Sequence, residues 1–76
     1  MRITLDEEAD AAYVYVADPI RAGESARQIA VEGTTVILDF DHDGRLLGVE
    51  VLSASRHLRD DTLASLRPPR EPHRRS

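Results

Sequence analysis

The sequence predicts an α+β fold: a small antiparallel β-meander of about five strands followed by one short C-terminal helix. Three observations predict it. Alternating apolar residues recur in short runs from Arg2 to Leu52, separated by turn-forming Asp, Gly and Pro. After Leu52 the spacing lengthens, with Leu58, Thr62 and Leu66 at helical intervals and Leu63 beside them. Seventy-six residues allow one domain and no more.

Each element follows from its own residues. Arg2 to Leu5 is a short strand with Ile3 and Leu5 on one face. Asp6 to Asp10 is an acidic connection. Ala12 to Ala17 is β-branched and aromatic, and its alternation sets Tyr13 and Tyr15 against Val14 and Val16. Pro19 and Gly23 break the pattern. A third strand over 25–31 alternates Ala26, Gln28 and Ala30 against Arg27, Ile29 and Val31. Thr34 to Phe40 directs Val36, Leu38 and Phe40 one way, and Leu46 to Leu52 does the same with Leu47, Val49 and Val51. Short turns between consecutive strands predict a meander. Asp60 or Asp61 is positioned to cap the helix, with Ser55 as a cap for an earlier start. Pro68 and Pro69 end it. The domain is thus expected over 1–66, with a disordered Pro- and Arg-rich tail over 67–76.

Composition narrows function. There is no cysteine, hence no disulfide framework and no thiolate metal site. His42, His57 and His73 lie far apart and show no zinc spacing. The N-terminal residues hold no apolar run suited to a signal peptide or a membrane span, so a soluble cytoplasmic protein without membrane partners is expected. The net charge of −4 divides unevenly: four arginines and eleven acids in 1–53 leave −7, and six arginines and three acids in 54–76 leave +3. An acidic body is poorly suited to nucleic acid. A core this small predicts that self-association supplies further buried surface.

The most specific motif is Asp39-Phe-Asp41-His-Asp43-Gly44-Arg-Leu-Leu-Gly-Val-Glu50, which fits the calcium-binding EF-hand loop at every defined position. Its flanks read as strands, however, and the same letters make a β-hairpin with Asp-Gly at the turn. In that hairpin Glu50 falls opposite Ile37, about 20 Å from the tip at about 3.3 Å per residue. Such a loop cannot close on one ion.

The opening Arg-Ile-Thr-Leu-Asp6-Glu-Glu8-Ala-Asp10-Ala-Ala-Tyr13-Val-Tyr15-Val resembles the start of a small bacterial family, domain of unknown function 2283. The segment from Val36 through Asp43-Gly44 to Val49-Glu50-Val-Leu-Ser-Ala54-Ser55 is similar to its second signature. The likeness covers roughly residues 1 to 60 and departs at Ser53, where aspartate is common. It implies a fold and a size class, with a hairpin turn at Asp43-Gly44, and it supplies no mechanism.

Two functions follow. The first is a homodimeric protein-interaction module without catalytic activity, with Tyr13 and Tyr15 as candidate partner-binding residues and an unidentified protein as partner. The second is a divalent-metal-binding protein, with calcium or a similar cation held by Asp39, Asp41 and Asp43 in the 39–50 turn, or by Asp6, Glu8 and Asp10. Both tyrosines also fit packing in the core or under the helix. His57 reads as an exposed residue on a polar face, and Ser25, Ser53 and Ser55 lack a neighbouring base.

Overall fold

The computed structural model describes residues 1–67; the tail expected from Pro68 onward lies outside them. Five antiparallel strands form one sheet: β1 (Arg2–Asp6), β2 (Ala11–Tyr15), β3 (Arg27–Ala30), β4 (Val36–Phe40) and β5 (Leu46–Leu52). Two short helices follow, α1 (Ala54–His57) and α2 (Asp60–Leu66). The α+β class is as the alternation predicts.

The connectivity corrects the meander. Strand order is β1-β2-β5-β4-β3, so β5 lies between β2 and β4, and β3 forms the far edge. The connection over 16–26 therefore crosses the ends of β5 and β4 to reach β3. It is pinned on the way: Val16 and Ala17 both donate their N–H to the Leu47 carbonyl, at 3.0 and 2.9 Å. Ala26 N–H then donates to the Phe40 carbonyl at 2.9 Å. Alternation explains why the insertion works. β5 carries Val49 and Val51 on one face, in register with Val14 and Ala12 of β2 and with Leu38 and Val36 of β4.

The β4–β5 hairpin is tight. Gly44 N–H donates to the Asp41 carbonyl at 3.1 Å, Asp41 N–H to the Arg45 carbonyl at 2.9 Å, and Gly44 takes φ 79°. This is a turn closed by a left-handed glycine, a conformation that glycine adopts without steric cost. Glu50 stands opposite Ile37, as the hairpin register predicts. A register shift at Asp39/Phe40 pairs Phe40 with Leu46 and leaves Leu47 as the extra residue, buried at the sheet.

Two apolar rows cross the face that carries the helices. One runs Leu5–Ala12–Val51–Val36 and the other Ile3–Val14–Val49–Leu38–Ile29. The helices cover the first: Ala12, Ala54 and Leu63 form the buried cluster, with Leu5, Val51 and Leu58 packed against it. The helical region differs from expectation in two ways. There are two helices where one was predicted, because Ser53 enters the left-handed region at φ 52° and turns the chain directly out of β5 into α1. The N-cap of α2 is Arg59, without a side-chain cap bond, and Asp60 and Asp61 sit inside the first turn. There their charge still complements the helix dipole.

Candidate functional site

Three places gather the residues singled out by the sequence: the acidic β1–β2 turn, the polar face of the sheet, and the open part of the apolar face.

At the β1–β2 turn, Asp6, Glu8 and Asp10 do separate things. Asp6 Oδ1 accepts the Ala9 N–H at 3.0 Å, which closes the turn. Glu8 is exposed. Asp10 reaches across to α1, where its Oδ1 accepts the Ser55 N–H at 2.9 Å and its Oδ2 accepts the Ser55 hydroxyl at 2.7 Å. Its own carbonyl accepts the Ala54 N–H at 2.8 Å. The Ser55 hydroxyl first, and then its N–H, hold the Asp10 carboxyl below the usual aspartate range. The N-cap of α1 is Ser53, and Ser55 is instead the partner of a carboxylate in the opposite hairpin. Glu7 in the same turn pairs with Arg67 at 2.8 Å and ties down the end of α2.

The polar face carries Tyr13, Tyr15, Gly48, Glu50, Ile37 and Asp39. Ala12 packs under the helices, so by alternation both tyrosines lie on the other side. The expectation that they pack under the helix is therefore corrected. Tyr13 lies across Gly48, where an added Cβ would fall within its ring. That absence of a side chain lets the phenol pass over β5 and donate to Asp39 Oδ2 of β4 at 2.9 Å. Asp39 Oδ1 accepts the Ser25 hydroxyl at 2.5 Å. Asp39 is only 6 % exposed, and both its oxygens carry donors from distant parts of the chain. Burial, and then the bond to Asp39, push the Tyr13 phenol well above the usual tyrosine range. Tyr15 packs at 4.7 Å from Tyr13 and lies under the Arg2 guanidinium at 3.9 Å, while Arg2 also pairs with Asp18 at 3.0 Å.

The EF-hand letters are thereby dispersed. Asp39 is turned into the sheet, Asp41 Oδ1 accepts the Asp43 and Arg45 N–H groups at 2.9 and 2.8 Å, and Glu50 lies back along β5. Among the described residues, no group of three His, Cys, Asp or Glu side chains is placed to hold a metal ion.

The open part of the apolar face begins where the helices stop. Ile3 and Ile29, at the ends of the second row, are 46 % and 36 % exposed, and Val14, Val49 and Leu38 between them are partly buried. Beside Ile29 and Phe40 a depression of about 600 Å³ is rimmed by Arg27, His42 and Asp43. His42 bonds through Nε2 to the Gly23 carbonyl at 2.9 Å. His57, in the last turn of α1, is exposed.

The family described as protein of unknown function DUF2283 matches residues 2–55, well over half of the chain. The chain belongs to the DUF2283 family. No curated protein and no solved structure matches it significantly. The DUF2283 match ends at Ser55, so it takes in both ends of the Asp10–Ser55 tie and of the Tyr13–Asp39 bond. Helix α2, which supplies Leu63 to the core, lies beyond it. Asp10, Ser55, Tyr13 and Asp39 each stand out in the sequence, but nothing local joins them in pairs. Gly48 carries the one usable signal: a glycine inside a strand marks a close approach.

Proposed function

We propose that this DUF2283 protein is a small protein-interaction module without catalytic activity that works as a homodimer in the cytoplasm. One observation carries the reading: the apolar row Ile3–Val14–Val49–Leu38–Ile29 crosses all five strands and is left open by the helices. At about 4.8 Å between strands, that row is about 19 Å long. A contiguous apolar patch on a small protein marks a surface that meets another molecule. The acidic body favours a protein partner over nucleic acid, and the absence of cysteine suits a reducing compartment.

The buried polar network supports a scaffold role in preference to chemistry. Asp39 already holds two hydroxyl groups, and among the described residues neither an imidazole nor an amine joins them. A general base needs a free lone pair facing its substrate. No helix among the described residues is long and apolar enough to cross a membrane.

Light scattering at micromolar concentration, followed by affinity capture from the native host, tests the proposal. A dimeric mass together with a retained specific protein is expected. A monomer at every concentration that retains nothing would overturn it.

A further inference from the structure

The edge of β3 suggests how two copies would meet, an inference that rests on the homodimer reading above. All four residues of β3 are exposed, and among the described residues its one strand neighbour is β4. Val31 N–H donates to the Val36 carbonyl at 2.9 Å, in the same register that pairs Ile29 with Leu38 and Arg27 with Phe40. Bonding direction alternates along an antiparallel strand. Arg27 and Ile29 therefore turn their backbone groups toward β4, and Gln28 and Ala30 turn theirs outward. Natural edges are blunted by shortness, charged side chains, proline or a bulge. β3 is four residues long and carries one charge, Arg27, but it has no proline and its register to β4 is unbroken, so its outward backbone groups stay open to pairing. The other edge is different: β1 is flanked by α2, and Leu5 packs on the core.

We propose that β3 pairs antiparallel with β3 of a second copy, across a two-fold axis at Ile29. In this register Gln28 of each copy stands opposite Ala30 of the other. All four outward N–H groups and all four outward carbonyls of the two strands then find partners. Other registers do worse. Centred on Gln28, the pairing puts Ala30 opposite Ala26, whose N–H is already given to Phe40. Centred on Ala30, it puts Gln28 opposite Glu32, which lies in the turn beyond the strand. Side chains agree with the backbone. Ile29 meets its counterpart in the closer, non-hydrogen-bonded type of pair, and the open apolar row runs on from one copy into the next. The product is a ten-stranded sheet with one apolar row across it.

The test uses the self-pairing of Ile29. Ile29→Lys and Ile29→Glu each place like charges opposite one another, so each variant alone is expected to be monomeric by light scattering. An equimolar mixture is expected to regain the dimer. Ala30→Pro removes an outward N–H from each copy and leaves the ladder to β4 intact, since an edge strand tolerates proline on its solvent side. Losing two bonds across the axis weakens the dimer roughly thirtyfold, with the sheet signal in circular dichroism kept. If the lysine, glutamate or proline variant dimerises like the parent, edge pairing is wrong while the homodimer survives. If the charged variants are monomeric and their mixture stays so, the two-fold at Ile29 is wrong. A parent chain that is itself monomeric overturns both readings.

Discussion

Asp10 stands at φ 52°, in the left-handed region where aspartate is one of the few tolerated side chains, and from there its carboxylate reaches Ser55. Its acidity is increased by that contact, which fixes the sign of a pH effect. A carboxyl whose folded pKa is depressed adds stability above its unfolded value, about 3.9, and loses it as pH falls through the folded one. Asp10→Ala should therefore lower the melting temperature at pH 7 and flatten the acid limb of a melting profile taken from pH 2 to 7. Tyr13 has the opposite sign. Its raised pKa means the fold favours the neutral phenol, so stability is full below about pH 10 and falls as pH rises beyond it. Tyr13→Phe should remove that alkaline slope in urea titrations at pH 9 to 11. Gly48→Ala should destabilise by about 1–3 kcal/mol, because its methyl group meets the Tyr13 ring. The penalty should nearly vanish in a Tyr13→Ala background, which a double-mutant cycle measures.

At the level of elements, the helices depend on what they cover. α1 has four residues and α2 seven, too short to stand alone in water. Leu63, 3 % exposed, is the side chain through which α2 meets Ala12 of β2 and Ala54 of α1. Leu63→Ala should cost about 2–5 kcal/mol, a large share of the stability of a domain this size, and urea denaturation followed by circular dichroism should show it. α1 was illegible beforehand because its start is set by Ser53 and by a carboxylate far away in sequence, not by a cap of its own. α2 was legible because its leucines carry the period themselves. The insertion of β5 between β2 and β4 left no local trace either, since each of these strands has an apolar face that suits several neighbours.

For the whole molecule, the charge pattern and the turn chemistry bear on the cation question together. Tyr13 and Ser25, the two hydroxyl partners of Asp39, lie 26 and 14 residues away along the chain, both outside its own hairpin. A loop that shared these letters with an EF-hand would present Asp39 to an ion, and here the fold uses it inside. Millimolar calcium should accordingly leave the melting temperature unchanged. An occupied site at a hundred times its dissociation constant would instead add about 2.7 kcal/mol and raise the midpoint by several degrees.

The sequence by itself determined the alternation of the strands except at the bulge that sets Leu47 aside in β5, the hairpin at Asp43-Gly44, the placement of Glu50 opposite Ile37 and the leucine stripe of α2. All of these rest on side-chain period and turn chemistry within a few residues. Only the tertiary structure decided that β3 is the far edge, that Asp10 holds Ser55, and that Tyr13 crosses Gly48 to reach Asp39. Those contacts join segments up to 45 residues apart. Which strand closes beside which depends on how all the apolar faces can be covered at once, and no local window of sequence contains that sum.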